Sequence, residues 1–256
     1  MRKSRPSSES KVPTVEEEAG QPDRYEGRYV GDTIHDGLRH GSGRLEFCNG
    51  DCYEGDFKYG MREGKGTLTY GRNARRDFYD SRAYTGEWRG SLRHGRGREK
   101  WPSGEWYEGQ WEKDKFHGQG AYRSRCGRYD GDFAYGEKSG KGKMSYFKEG
   151  GTYEGEWQKN RFHGAGTYVW PDDTAYEGHW QRGLRHGVGS LSQPSGEKYY
   201  GHWANGLKHG KGTIRHRNGR CRDGIWKRNH LLNYTSNEYY GAKIHLASSN
   251  IYKKSS

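Results

Sequence analysis

The sequence is poor in aliphatic residues, and none of its apolar stretches is long. Apolar residues make up 29% of the 256 residues, and no run approaches the ~18–20 residues that a membrane-spanning helix needs. The N-terminal segment lacks the apolar core of a signal peptide, position 2 is not a myristoylation Gly, and the C-terminal KKSS has no prenylation Cys. We therefore expect a chain located in the cytoplasm.

Cysteine is also scarce. Cys48, Cys52, Cys126 and Cys221 are irregularly spaced, which predicts reduced thiols rather than a disulfide framework. Cys48 and Cys52 have no second Cys or His pair at zinc-finger spacing, so we expect no metal site. The recurring Gly-x-Gly pairs lack the third glycine of a dinucleotide fingerprint, and no nucleophile motif stands out. We expect no catalytic residue, no cofactor and no enzymatic activity.

Glycine and aromatic residues are abundant: the chain has 42 Gly, 9 Trp, 21 Tyr and 7 Phe. With 30% charged residues, the composition alone favours disorder, but the aromatic content favours a packed structure. A repeated motif, Tyr-x-Gly-x-Trp/Phe, indicates that the chain forms a packed structure rather than a disordered one. It begins at Tyr53, Tyr84, Tyr107, Tyr129, Tyr153, Tyr176 and Tyr199, at spacings of 31, 23, 22, 24, 23 and 23.

The repeats divide the chain into a long central region and two tails. A further unit begins at either Tyr25 or Tyr29, and a degenerate last unit, 222–230, keeps the spacing without the Tyr. Eight units and this ninth fill residues 23–230, and the one long interval holds a basic insert, 71–83. Residues 1–22 read as a flexible arm and 231–256 as a tail that either docks on a partner by adding a strand or is disordered.

Each unit reads as a β-hairpin. With the Tyr as position 0, apolar and polar residues alternate over the first five positions, and a residue that tolerates positive φ stands at +7. This predicts a two-residue turn at +6 and +7. The register that follows pairs 0 with +13, +2 with +11 and +4 with +9, so that Glu54 opposes Lys65 and Asp130 opposes Lys141. It also pairs +3 with +10, as in Glu156 and His163.

This register predicts one aromatic face, on which Tyr and Trp lie flat over glycines because no Cβ stands in their way. Positions +15 and +17 share that face, and the other face is polar. We assign to this aromatic–glycine core Tyr53, Phe57, Tyr84, Trp88, Tyr107, Trp111, Tyr129, Phe133, Tyr153, Trp157, Tyr176, Trp180, Tyr199, Trp203, Gly155, Gly164 and Gly166.

The predicted fold is all-β: an elongated, single-layer antiparallel β-hairpin meander with short irregular tails. Consecutive hairpins advance by roughly 9–10 Å, since neighbouring strands lie about 4.8 Å apart. A histidine recurs at +10, for example at His163 and His186. Equivalent histidines of successive hairpins are too far apart to bind one metal ion, because each ligand of a zinc ion lies only about 2.0–2.1 Å from it. We expect a structural or surface role for these histidines.

The motif resembles the MORN repeat, as YEGEW at 153–157 followed by HGAG at 163–166 illustrates. The resemblance implies an elongated antiparallel β ribbon. Family members include junctional scaffolds at membranes, cytoskeletal and ciliary proteins, and regulatory modules joined to enzymes. Proteins made almost entirely of these repeats look most like radial spoke heads. The resemblance therefore implies a structural scaffold of a ciliary or flagellar axonemal complex, with other proteins of that assembly as partners.

The net charge of +12 favours an acidic partner. The alternative function is a peripheral membrane adaptor that binds acidic phospholipids; nucleic acid is not expected, because the basic residues are interspersed rather than clustered. Pairing with a second copy or with another MORN protein stays open. The candidate partner contacts are Arg72, Arg75 and Arg76 in the insert and Tyr239, Tyr240, Ile244 and Leu246 in the tail.

Overall fold

The computed structural model describes residues 27–71, 82–148 and 150–240. The arm predicted at 1–22 lies outside the described residues, as do Arg72, Arg75 and Arg76 of the insert and Ile244 and Leu246 of the tail. In these ranges no helix has the length and apolar character needed to cross a bilayer. Every regular element is a β-strand.

The described residues contain nineteen strands. The first ten are β1 Gly27–Thr33, β2 Arg39–Phe47, β3 Cys52–Lys58, β4 Met61–Tyr70, β5 Arg82–Arg89, β6 Leu92–Lys100, β7 Trp106–Glu112, β8 Lys115–Arg123, β9 Gly127–Ala134 and β10 Glu137–Tyr146. The others are β11 Thr152–Gln158, β12 Arg161–Val169, β13 Ala175–Gln181, β14 Leu184–Ser192, β15 Lys198–Ala204, β16 Leu207–Arg215, β17 Arg220–Lys227, β18 His230–Tyr234 and β19 Tyr239–Tyr240.

From β1 to β18 each strand pairs antiparallel with its neighbours in the chain, which makes one open sheet. β19 lies beside β18 on the same edge of β17, where Cys221 pairs with Tyr239. The predicted fold, an antiparallel meander of hairpins, is confirmed. Only one layer exists in the described part of the chain, so the core must form on a face of the sheet itself.

From the unit of Tyr53 onward, the turn inside each hairpin falls at +6 and +7, as the alternation predicts. At Lys159 and Asn160 φ is 49° and 64°, and both central residues are likewise left-handed at Asn205 and Gly206. Two positive φ values are the mark of a type I′ turn, whose twist matches that of the flanking strands.

The predicted register is correct near the turn and wrong beyond it. Trp157 pairs with Phe162 and Glu156 with His163, but Gly155 then pairs with Gly166 rather than Gly164. Two residues, +11 and +12, form a bulge that moves every later pair by two positions. Tyr at 0 therefore opposes +15, as Tyr153 opposes Tyr168.

The bulge also changes the charged pairs on the polar face. Glu54 pairs with Thr67 instead of Lys65, and Asp130 with Lys143 instead of Lys141.

Gly164 is not part of the aromatic core, which corrects its assignment. Its φ is 54°, and a Cβ built on it would collide with the carboxylate of Glu156 on the polar face. Glycine is needed here because the bulge requires a left-handed residue, not because a ring lies over it.

Both ends of the described repeat array can be compared with the other units. Tyr29 occupies position 0 in the first unit, since it pairs with Leu45 and donates its hydroxyl to the carbonyl of Asp32. The degenerate last unit is a complete hairpin of β17 and β18, and it continues to Tyr234, beyond residue 230.

The left-handed turn predicts opposite effects for glycine at two adjacent exposed positions. Lys159→Gly should raise the free energy of unfolding by about 0.5–1 kcal/mol, because glycine removes the strain of φ 49°. Gln158→Gly, in the neighbouring extended strand, should lower it by a similar amount. Urea unfolding of the two variants measures the difference. Equal losses in both would contradict the type I′ turn.

Candidate functional site

The rings at positions 0 and +4 form a continuous line along one face, which we call the aromatic line. Tyr153 meets Trp157 of its own unit edge to face, with 5.2 Å between ring centroids, and Trp180 of the next unit at 5.5 Å. The same alternation runs from Tyr29 to Trp226. Edge-to-face pairs are worth about 0.5–1.5 kcal/mol beyond the area that they bury.

All fourteen aromatic residues assigned to the core from the sequence are buried. They are Tyr53, Phe57, Tyr84, Trp88, Tyr107, Trp111, Tyr129, Phe133, Tyr153, Trp157, Tyr176, Trp180, Tyr199 and Trp203, with exposures of 0–6%.

Each tyrosine covers a pair of facing glycines. Gly155 and Gly166 stand opposite each other, and a Cβ on Gly166 would overlap the hydroxyl and ring of Tyr153. The Tyr153 hydroxyl donates to the carbonyl of Glu156 at 2.8 Å, three residues ahead. Burial raises the pKa of Tyr153. The ring therefore lies flat along its own strand, with its hydroxyl satisfied by the backbone.

The tryptophans connect one unit to the one before it. The Trp180 indole N–H donates to the Gly166 carbonyl at 2.9 Å, so it bonds the same glycine that Tyr153 covers. Trp88, Trp111, Trp157 and Trp203 make the equivalent bond at 3.0–3.1 Å. Phe57 and Phe133 have no donor to make it, and the Trp226 N–H has no partner in the described residues.

Position +9 carries a row of side chains that cover the aromatic line, and the sequence analysis did not identify it. In chain order, with the first unit's longer turn allowed for, the +9 row is Arg39, Arg62, Arg93, Phe116, Lys138, Phe162, Arg185, Lys208 and Leu231. Phe116 stacks on Tyr107 with centroids 3.7 Å apart, and the Arg185 guanidinium lies 4.4 Å from the Trp203 centroid. Cations over aromatic faces are stabilised by the ring quadrupole.

The +9 row also fastens neighbouring turns together. The Asn160 N–H donates to the Lys138 carbonyl at 3.1 Å, and the Asn160 side chain accepts the Lys138 N–H at 2.9 Å. Arg185 adds a side-chain bond from Nη2 to the Gly206 carbonyl at 2.8 Å. The backbone bond from +7 to the preceding +9 recurs at every unit boundary from Gly60 to Asn229. We call these contacts the turn clasps.

One unit places a carboxylate in the aromatic face. Glu99 occupies position +15, where other units have apolar residues, and is 1% exposed. Arg82 reaches it at 2.6 Å and Arg93 at 2.8 Å, while Arg93 also pairs with Asp114 at 2.8 Å. The charges balance within this cluster, which stands at the end of the insert.

The outer part of the aromatic face is only partly covered. Phe47, Tyr70, Trp101, Tyr146 and Trp170, at position +17, pack against the core and stay half-buried; we call them the rim residues. Among the described residues nothing forms a second layer above them. A wide apolar surface edged by Arg and Lys of the +9 row is the composition that favours protein contacts, in which Trp, Tyr and Arg contribute most.

The polar face is organised by the bulges. At +3 a carboxylate accepts the backbone N–H of +12, as Asp132 does from Lys141 at 2.8 Å and Glu156 from Ala165 at 3.1 Å. Toward the N-terminal end this face has a hollow of about 890 Å³, and Lys65 and Arg96 are among its lining residues. Four glycines are also among the lining residues, and the hollow is open to solvent.

The structure describes two of the four candidate partner contacts in the tail. Tyr239 and Tyr240 form β19 on this chain's own sheet, where the Tyr239 hydroxyl donates to Asp223 at 2.9 Å. Tyr240 is 72% exposed. The strand that the sequence analysis offered to a partner is thus added, in part, to the chain itself.

The family comparison agrees with this geometry. The MORN repeat model matches residues 25–52, 53–75, 84–106, 107–125, 129–149, 153–175, 176–198 and 199–219. These segments cover well over half of the sequence. The chain belongs to the MORN-repeat proteins, a class of modules for protein interaction or membrane binding whose repeats are generally non-enzymatic.

Similarity to individual proteins is limited. Alsin of Rattus norvegicus is 31% identical over 100 residues, which is 39% of this chain and only 6% of Alsin. Among solved structures, the SAS-4 (dCPAP) TCP domain of Drosophila melanogaster, in complex with a proline-rich motif of Ana2 (dSTIL), is 9% identical, with a TM-score of 0.31. That match covers 84% of this chain and 99% of the TCP domain, but the score supports no conclusion about fold or function.

Replacing the glycine at +13 should destabilise the protein much more than replacing a glycine in a turn. Gly166→Ala should lower the free energy of unfolding by about 3 kcal/mol, because its Cβ overlaps the Tyr153 ring and neither can move without breaking pairs. Gly90→Ala, where φ is 56° and no atom lies within 4 Å of the added Cβ, should lose only about 1 kcal/mol. Urea unfolding followed by Trp fluorescence compares them, and similar losses would refute the packing argument.

Proposed function

We propose that this chain is a structural scaffold that holds other proteins on its aromatic face. One observation carries the proposal: the rim residues stay half-buried along a single-layer sheet, with no covering layer in the described residues. A monomer rarely leaves so long a row of large rings without a partner. The aromatic line below is buried and holds the rim residues in fixed positions.

The chemistry of the face suggests what kind of partner it holds. The rim residues offer flat apolar contacts, and the +9 row adds positive charge along one margin. A segment with apolar side chains on one side and acidic side chains on the other would match both rows. Since the units advance by roughly 9–10 Å, such a segment would meet a rim residue at each of the five hairpins that carry one.

Within this class we place the protein in a ciliary or flagellar axonemal complex, of which the radial spoke is an example. Eight MORN repeats occupy residues 25–219, and this repeat-dominated organisation is what resembles the spoke-head proteins. The partners would then be other axonemal proteins. This placement rests on the family resemblance.

The rival function is a peripheral membrane adaptor that binds acidic phospholipids. The net charge of +12 and the hollow lined by Lys65 and Arg96 on the polar face favour it. The two functions use opposite faces of the sheet. They also differ in salt dependence, because attraction to anionic lipid is screened as the ionic strength rises, whereas aromatic packing is not.

Variants on the two faces distinguish the functions. A tagged copy is expressed in a ciliated cell, the cell is extracted with non-ionic detergent, and the pellet and soluble fractions are assayed. We expect the wild type and the polar-face variant Lys65→Glu/Arg96→Glu to stay in the pellet with signal along axonemes. The rim variant Trp101→Ala/Trp170→Ala should be released. Circular dichroism of both variants controls for folding.

The opposite result would favour the lipid adaptor. Complete release of the wild type by detergent, together with salt-sensitive pelleting on anionic liposomes that Lys65→Glu/Arg96→Glu abolishes, would overturn the scaffold proposal.

A further inference from the structure

Two members of the +9 row, Lys138 and Lys208, are lysines, and they are held differently from the arginines. Arg62 and Arg185 lie over the rings and also donate to a backbone carbonyl of the next turn, at 3.0 and 2.8 Å. The ammonium group of lysine is compact, so it does not lie over the rings and also reach the carbonyl of the next turn as a guanidinium does. The Lys138 Nζ instead ends over the rings.

The Lys138 amine sits in an apolar cage. Its Nζ lies 5.1 Å from the Tyr129 centroid, 5.1 Å from the Trp157 centroid and 3.8 Å from the Met144 sulfur. No carboxylate pairs with it in the part of the chain that the structure describes. Part of the residue remains exposed to solvent.

A second unit shows what this cage lacks. Arg93 occupies the same position as Lys138, and position +15 beside it is Glu99, which pairs with the guanidinium at 2.8 Å. In the unit of Lys138, position +15 is Met144. A thioether thus stands where the homologous cage has a carboxylate, and it cannot stabilise the protonated amine by charge.

The protonation state follows from these contacts. Burial lowers the pKa of Lys138 to about 8, a shift that a negative charge on Cys126 partly opposes. Burial also lowers the pKa of Lys208, where Glu197 opposes the shift and Arg185 adds to it.

We propose that Lys138 is a nucleophilic acylation site that reacts with activated acyl donors, acyl thioesters in particular. The amine attacks the carbonyl carbon, a C–N bond forms, the C–S bond breaks, and the thiolate leaves. The amine gives up one proton, so the products are an amide and a thiol, with no change in oxidation state. Acylation removes one positive charge from the +9 row and leaves an acyl group beside Trp157.

The expected gain in reactivity is on the order of tenfold. At pH 7.4 an amine of pKa about 8 is roughly one-fifth deprotonated, against less than a thousandth for a lysine with the ordinary value of about 10.4. A weaker base is also a weaker nucleophile, which offsets part of that difference.

The test treats the folded full-length chain with a limiting amount of phenyl thioacetate, an acetyl thioester, from pH 6 to 10. Peptide mass spectrometry gives the acetylation rate at each lysine. The matched control is Lys141, which is exposed on the polar face of the same strand. Lys138 should react about tenfold faster than Lys141 at pH 7.4, and its rate should level off above pH 8.

Substitutions at Met144 test the cage itself. Met144→Glu reproduces the arrangement of Arg93 and Glu99 and should slow Lys138 to the rate of Lys141, whereas Met144→Leu should keep it fast. Circular dichroism verifies that both variants are folded. The proposal is overturned if Lys138 reacts no faster than Lys141 in the wild type, or if its pH profile coincides with that of Lys141. It is also overturned if a folded Met144→Glu variant keeps the wild-type rate.

Discussion

The structure depends on one contact, a tyrosine ring lying flat over two facing glycines. Gly155 and Gly166 have no side chains, so their strands leave a shallow slot on one face, and the Tyr153 ring fills it. The hydroxyl then finds a backbone carbonyl at 2.8 Å without leaving the sheet. A core of this kind needs no second layer. It explains how a chain with 42 glycines and 29% apolar residues can be ordered.

The tryptophans make the units depend on one another. Five tryptophans at +4 meet the tyrosine of their own unit and that of the preceding one, and the N–H of each bonds the carbonyl of the glycine that this earlier tyrosine covers; they are Trp88, Trp111, Trp157, Trp180 and Trp203. The turn clasps add a second connection at the margin. Because all of these contacts join adjacent units, stability is shared between nearest neighbours, as in other repeat proteins.

The sequence was sufficient for the hairpins, their turns and the aromatic face, since each follows from local spacing and from which residues tolerate positive φ. The bulge at +11 and +12 could not be predicted in the same way. Glycine at +11 is required for its backbone conformation and glycine at +13 for its missing side chain, and the one-letter code is the same for both. Gly164 was misassigned for this reason.

The +9 row was hidden for a different reason. Arg185, Phe162 and Lys138 share no chemical class, and only the register across the turn shows that they lie over equivalent rings. The burial of Glu99 in the aromatic face could not be predicted either, because it depends on ion pairs with Arg82 and Arg93. The role of such a residue depends on side chains of other strands, and a single sequence does not show which strands are neighbours.

The turn clasps have a mechanical consequence. Tension between the two ends of the sheet acts across the strands, and so loads the backbone ladder, the indole–carbonyl bonds and the clasps of each boundary together. Phe57 and Phe133 have no indole N–H, and the Trp226 N–H has no partner in the described residues, so three boundaries lack this bond and resistance to extension is uneven along the sheet. Under load, such a sheet would open first at those three boundaries while the other units keep their shape.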